Sequence, residues 1–311
     1  MTITLEKLGL KAVGVVDWAT DIVLEFILIV ALTFGLYSLW DSQQVYEAAD
    51  SANYTAYRPE ANDTLSFEEL CKINPEIIGW LTVNDTTIDY PITQTNNNEK
   101  YVNTNAEGQY TLSGSIFLDY RNSSDFDDFN SILYGHHMEK KMMFGSLSDF
   151  SDKEYFDSHK YGNLFFNGAD HGVEFFALIL IDAYNNNMFS PAINGQEQQQ
   201  DFIDYLFSNA KHLRNISVTP EDHLILLSTC TSDITNGRYI LVGKFIDELH
   251  MQEKTSPSKP VINLGTWDVR QLSQLEKIPI WLWLAAIAVL FVLLLVIDGK
   301  VDLKRKINHE K

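Results

Sequence analysis

The chain has 311 residues, of which 45% are hydrophobic, and a formal net charge of −19. This length and composition allow one domain of roughly two hundred residues with its own core, together with additional segments. The acidic balance argues against nucleic acid as a partner, because phosphate binding needs clustered Lys and Arg.

Two apolar segments are predicted to cross a membrane as helices, at 22–40 and 279–297, since about 20 apolar residues span a bilayer. Lys and Arg beside a span prefer the cytoplasm. Lys7 and Lys11 precede the first segment, and basic residues follow the second at 300 and 304–306. We therefore expect a two-pass cell-membrane protein with both termini cytoplasmic and the middle outside. A cleaved signal peptide is the competing interpretation, but no small-x-small cleavage site follows the first span.

The polar residues 41–66 indicate a stalk that leads into the folded domain. A short helix is predicted next, with Ser66 as N-cap and Glu69 three residues later. Cys71 would lie on or just beyond this helix as a small buried hydrophobe. Cys230 is the second cysteine, and outside the cell such a pair often forms a disulfide, so this alternative stays open.

From Trp80 onward the chain contains short runs rich in Ile, Leu, Phe and Tyr, separated by Asn, Asp, Gly and Ser. The runs are WLTV, TIDYPI, SIFLDY, SILYG, NLFF, VEFFALILIDAY, LILLSTC and RYILVGKF. This pattern is typical of an all-β barrel or sandwich. One helix is predicted at 196–212, where Phe202, Tyr205, Leu206 and Ala210 share a face at helical spacing. We expect it to cover an open end of the barrel.

Two successive runs carry a thiol and a cation. The first ends in Ser228-Thr229-Cys230, and Arg238 opens the next, so a hairpin would bring the two side chains together. An adjacent cation favours the reactive thiolate form of a cysteine.

A third run, NSILYGHHM, ends by delivering His136 and His137 to a loop. Cysteine acyl chemistry needs a proton shuttle near neutral pH, which His can supply. His, Cys and Arg in this order therefore form a candidate catalytic set. The sequence has no metal-ligand cluster and no Gly-rich phosphate loop, so no metal or other cofactor is expected.

The segments YGHHM and LSTC-x7-R resemble the signature blocks of sortases, and INPEIIGWLTVNDTTIDYPITQ, GSIFLDYRN and MMFGSL resemble the class B branch. The likeness runs from about Phe67 to Phe245. It implies a mainly β fold, the sortase-type closed β-barrel with flanking helices. It also implies that His136, Cys230 and Arg238 are the catalytic residues.

The resemblance implies thiol attack on an LPXTG-like C-terminal sorting signal, a thioacyl intermediate, and transfer to an amine. The partners would be surface proteins or pilins that carry the signal. The acceptor would be a pilin Lys or a peptidoglycan cross-bridge. Relatives of this class line the substrate groove at positions that correspond here to Ser228, Thr229, Asn98 and Val102.

Two membrane anchors are more characteristic of pilus-assembling sortases, which favours pilin polymerisation over wall anchoring. Residues 41–66 lack an Asp-Pro-aromatic lid motif, so an open active site is expected. A papain-like peptidase would need its nucleophile at a helix start, and the strand before Cys230 argues against it. A non-catalytic binding module with a Cys71–Cys230 disulfide is the alternative of another class.

The predicted division of the chain follows from these patterns. Its parts are a cytoplasmic segment 1–21, a transmembrane helix 22–40, a stalk 41–66, a catalytic domain 67–250, a linker 251–278, a transmembrane helix 279–297 and a basic cytoplasmic tail 298–311.

Overall fold

The computed structural model describes residues 2–59, 65–231, 233–250, 285 and 287–292. Gln44–Thr255 forms one compact unit, which holds all the strands of the described residues. This unit is described by itself below.

The chain begins with a long helix, α1, Thr2–Ala49. Its large apolar side chains are exposed, including Leu28, Leu32 and Phe34, which is 70% exposed. Within it, Val13–Ala49 is long and apolar enough to cross a membrane. The predicted second span, 279–297, lies mostly outside the described residues. Within it, only residues 285 and 287–292 are described, and they are helical.

The segment predicted as a stalk is helical up to Ala49 and continues in two short 3-10 turns. Ala49 and Tyr54 are buried among the core residues of the compact unit that contains the strands. The Tyr90 hydroxyl donates a hydrogen bond to the carbonyl oxygen of Ala49 at 2.9 Å. Part of this segment is therefore packed into the domain that it precedes.

The next helix, α2, spans Leu65–Ile73. Ser66 is already helical and cannot act as the N-cap, so that prediction is wrong. Leu70 is fully buried, and Cys71 is half-buried against the same core.

Nine strands follow in the described residues, and all eight predicted runs are among them. They are β1 Ile77–Val83, β2 Asp89–Thr93, β3 Ile116–Leu118, β4 Asn130–Tyr134, β5 Tyr161–Phe166, β6 Ala169–Asp182, β7 Ala210–Leu213, β8 Leu224–Thr231 and β9 Gly237–Ile246.

Eight strands close into a barrel in the order β5-β1-β2-β3-β4-β8-β9-β6, with β6 returning to β5. Closure depends on the 14 residues of β6, which pair with β9 along one edge. On the other edge β6 pairs with β5 at Ala169–Glu174 and then with β7 at Ala177–Ile179. The closed barrel is confirmed, and a sandwich is excluded.

The strands at the centre of the sheet are buried on both faces, which explains their continuous apolar sequences. Ile225 and Leu227 of β8 belong to one buried cluster, whereas Leu224 and Leu226 belong to a second. The second cluster also contains side chains of the helix at Gln196–Asn209.

Two helices interrupt the strands, α3 at Lys153–Ser158 and α4 at Gln196–Asn209. The predicted extension of α4 to residue 212 is wrong, because β7 starts at once and pairs with the free edge of β6. Phe202 and Leu206 of α4 pack with the outward-facing residues of the strands, so α4 covers the wall of the barrel rather than an open end.

Candidate active site

The β8–β9 hairpin places a thiol beside a guanidinium. Cys230 lies opposite Arg238 in the antiparallel ladder. Arg238 Nη1 donates a hydrogen bond to Cys230 Sγ at 2.7 Å. Cys230 is exposed and Arg238 is half-buried. The sulfur is thus open to solvent on one side and held by a permanent cation on the other.

The parallel pairing of β4 with β8 brings the candidate proton shuttle to the same edge of the barrel. Tyr134 is opposite Ser228, and the Gly135 amide donates to the Ser228 carbonyl at 3.2 Å. The Thr229 hydroxyl donates to the Gly135 carbonyl at 2.8 Å. His136 therefore leaves the end of β4 beside the end of the strand that carries the thiol.

Gly135 occupies a position where no side chain fits. A Cβ atom there would lie 2.5 Å from Ile116 Cδ1 and 2.8 Å from Phe144 Cδ2. Such contacts are far inside van der Waals distance, so the glycine lets the turn before His136 pass close to the core.

Ser228 and Thr229, which are predicted to bind substrate, are both 2% exposed. They point to opposite faces of β8, and Ser228 shares the face of Cys230 because side chains alternate along a strand. Among the described residues, Ser228 Oγ has no hydrogen-bond partner. A buried hydroxyl without a partner costs free energy, which an additional polar group could offset.

The other two predicted groove residues lie on the loop after β2. The Val102 carbonyl oxygen is 2.8 Å from His136 Nε2. Asn98 uses both ends of its amide, donating to Asp119 Oδ2 at 3.0 Å and accepting from the Tyr120 amide at 3.0 Å. The structure therefore brings Val102 to His136 of the candidate catalytic set and links Asn98 to the end of β3.

Asp119 is not singled out by the sequence analysis, although it lies in the segment GSIFLDYRN. Its side chain is fully buried and forms an ion pair with Arg121 at 2.8 Å. Burial alone would raise the pKa of this carboxyl, but hydrogen bonds from Arg121 and Asn98 outweigh that effect and lower it. The one local signal is an Arg two residues after the Asp.

Both cysteines are free thiols, so they form no disulfide with each other. Burial, and then the charge of Glu68, raise the pKa of the Cys71 thiol, which disfavours its reactive form. In the part of the chain that the structure describes, no three His, Cys, Asp or Glu side chains are grouped as metal ligands.

Comparison with known proteins gives consistent relatives, although no protein-family model matches the chain. It is 35% identical over 213 residues to Sortase B of Listeria monocytogenes, covering 66% of this chain and 82% of that protein. The structure is similar to that of sortase B from the type II pilus of Streptococcus pneumoniae, with a TM-score of 0.52, 46% identity, and coverage of 58% of this chain and 99% of the other. A Streptococcus pyogenes class B sortase involved in pilus biogenesis gives a TM-score of 0.54 at 38% identity, covering 58% of this chain and 98% of the other.

Proposed function

Because the chain belongs to the class B sortases, which are cysteine transpeptidases, we propose that it cleaves an LPXTG-like C-terminal sorting signal through Cys230. The observation that carries this proposal is the direct hydrogen bond from Arg238 to the exposed sulfur, beside the loop that holds His136.

The Cys230 thiolate would attack a backbone carbonyl of the sorting signal and form a tetrahedral oxyanion. Arg238 would then stabilise the oxyanion, since a preorganised donor aimed at developing charge lowers the barrier. As the C–N bond breaks, His136 would protonate the departing amine and leave a thioacyl enzyme. A second amine would attack the thioester and give its proton to His136, so that an amide forms and the Cys230 thiolate is released.

The contact of His136 with Val102 suggests which ring nitrogen moves the proton. A carbonyl oxygen only accepts, so His136 Nε2 carries the hydrogen in this contact. Nδ1 is then the nitrogen available for exchange with substrate. The Val102 carbonyl would hold the ring in one orientation.

We assign the groove to the residues around this edge of the barrel. Ser228 would act from beneath Cys230, because its hydroxyl lies on the same face of β8 but is buried, and it has no partner among the described residues. Thr229 would act by holding Gly135, and Asn98 and Val102 would act by shaping the neighbouring loop.

We further propose that the donors are pilin subunits and that the acceptor is a pilin Lys. The similarity to two sortases that are named for pili supports this assignment over attachment to a peptidoglycan cross-bridge. The charge pattern at the chain ends supports two spans, cytoplasmic termini and a catalytic domain on the outer face.

The test is incubation of the full chain in detergent micelles with sorting-signal peptides and two amines, a Lys-containing pilin peptide and a cross-bridge peptide. Mass spectrometry would follow a thioacyl adduct and its conversion to amide. Cys230→Ala should abolish both, whereas Cys71→Ala, the matched control, should abolish neither. Absence of any adduct on folded wild-type protein would contradict the proposal. Product with only the cross-bridge amine would assign the enzyme to wall anchoring.

A further inference from the structure

The carboxylate of Asp119, at the end of β3, accepts five hydrogen bonds. Oδ1 accepts from the Arg121 amide at 3.0 Å and from Arg121 Nε at 2.9 Å. Oδ2 accepts from Arg121 Nη2 at 2.8 Å, from Asn98 Nδ2 at 3.0 Å and from the Tyr134 hydroxyl at 3.0 Å. The side chain is fully buried, so substrate cannot reach it.

Burying a charged carboxylate is unfavourable in free energy unless its charge is paired. Removing a carboxylate from water costs several kcal/mol, and only charge pairing with further hydrogen bonds offsets that cost. The Arg121 fork supplies the paired charge, while the donors from Asn98 and Tyr134 occupy the remaining lone pairs.

Each partner of Asp119 belongs to a different segment at the site. Asn98 lies on the loop that continues to Val102, whose carbonyl contacts His136. Tyr134 ends β4, two residues before His136.

Arg121 extends the connection to the loop between β6 and α4. Its Nη2 also donates to the Phe189 carbonyl at 3.3 Å. The Phe189 ring stacks on Tyr134, with ring centres 6.5 Å apart and planes at 25°. One buried carboxylate thus joins three loops that start far apart in the chain.

We propose that Asp119 is a positioning residue for transpeptidation, which holds the loop of Asn98 and the loop of Phe189 in place as the two walls of the substrate groove. This inference rests on the proposed function. It assigns the charge of Asp119 to the shape of the groove and leaves the chemical steps to His136, Cys230 and Arg238.

The kinetic test compares wild type with Asp119→Asn, which keeps the shape of the side chain but replaces one acceptor oxygen by a donor. We expect KM for the sorting-signal peptide to rise about tenfold or more, equivalent to about 1.4 kcal/mol or more of binding free energy, while kcat changes less than about threefold. The rate at which iodoacetamide alkylates Cys230 should stay unchanged. An unchanged KM, or an equal loss in kcat and in alkylation rate, would overturn the inference.

The matched control is Asp128→Asn. Asp128, like Asp119, is an acid whose carboxylate accepts hydrogen bonds, here from Asn122 Nδ2 and from the Ser123 amide, both at 2.8 Å. It lies in the same β3–β4 connection, and among the described residues its carboxylate accepts hydrogen bonds from this connection rather than from either wall. This control should leave KM unchanged. If it raises KM as much as Asp119→Asn does, the effect is general destabilisation.

Hydrogen exchange tests the same inference without substrate. In Asp119→Asn, amides at 95–103 and 185–191 should exchange about fivefold faster, while those of β8 are unaffected. If Asp119→Asn folds poorly, Asn98→Ala and Arg121→Gln remove one arm each. They should loosen 95–103 and 185–191, respectively. Unchanged exchange in both loops would refute the positioning role. Absence of turnover by wild type, with loosened loops in the variant, would instead count against the proposed function alone.

Discussion

Replacing Arg238 by Gln removes the cation that touches the nucleophile while keeping a side chain of similar length. Nη1 lies 2.7 Å from Cys230 Sγ, so in the proposed mechanism this guanidinium would lie close to the tetrahedral oxyanion on the attacked carbon. Loss of one such donor typically costs about 10²–10³ in kcat, or about 2.7–4 kcal/mol of transition-state stabilisation. We expect a fall of that size in kcat/KM, measured by release of the C-terminal fragment of a fluorogenic sorting-signal peptide.

The size of the fall distinguishes oxyanion stabilisation from a general effect of charge. Arg238→Lys keeps a cation but not the planar fork, so its rate should lie between those of wild type and Arg238→Gln. Lys244→Gln is the matched control, because Lys244 lies on the same strand at the other end of the hairpin, opposite Leu224. It should retain full activity. A loss of less than about threefold in Arg238→Gln would refute the assigned role of this residue.

Three further outcomes are expected. Iodoacetamide should label Cys230 well before Cys71, because the raised pKa of Cys71 delays its labelling to more alkaline pH. Mass spectrometry of digests measures the order, and earlier labelling of Cys71 would contradict this prediction. Gly135→Ala should lower the free energy of unfolding by about 1–3 kcal/mol and reduce activity, because the added methyl overlaps Phe144; a chemical denaturation curve identical to that of wild type would contradict the packing argument. Burial alone would raise the pKa of Asp119, but hydrogen bonds from Arg121 and Asn98 lower it in the folded state. The ionised carboxylate therefore stabilises the fold above about pH 4, and this stability is lost as the pH falls further. The difference in unfolding free energy between wild type and Asp119→Asn should therefore shrink below about pH 4 in urea titrations, and a constant difference would show that the charge is not responsible.

The candidate catalytic set could be predicted from the sequence because its members lie at strand ends. An apolar run that stops at Cys230 and another that starts at Arg238 must form a hairpin if the intervening loop is short, and the ladder shows the two residues directly opposite each other. The position of His136 was predicted on the same basis. Its contact with the Val102 carbonyl could not be predicted, because the path of the loop after β2 is not determined by local sequence.

Asp119 was not predictable in this way. Its partners Asn98 and Tyr134 come from 21 residues before it and 15 residues after it, and nothing in the short segment LDYRN indicates that they meet. An acidic residue after a strand is usually solvated, so its burial becomes visible only once the barrel is closed.

The strand β7 was missed for a related reason. Its four residues, AKHL, continue the helical spacing of α4 and alternate only weakly in burial. What makes them a strand is the unpaired edge of β6, which offers hydrogen bonds that an isolated segment would not have. The helical spacing that favoured an extension to residue 212 carries no information about this pairing with β6.

The junction between β4 and β8 links the reactivity of the enzyme to the completion of its folding. The bond from Thr229 to the Gly135 carbonyl joins positions 94 residues apart, and pairings of such long range form slowly, since loop closure must precede them. Until β8 pairs with β4, the thiol has its cation from the local β8–β9 hairpin but lacks its candidate proton shuttle, His136. A chain whose barrel is not yet closed would therefore lack the proton shuttle that the proposed acyl transfer needs, and that reaction would begin only once folding is complete.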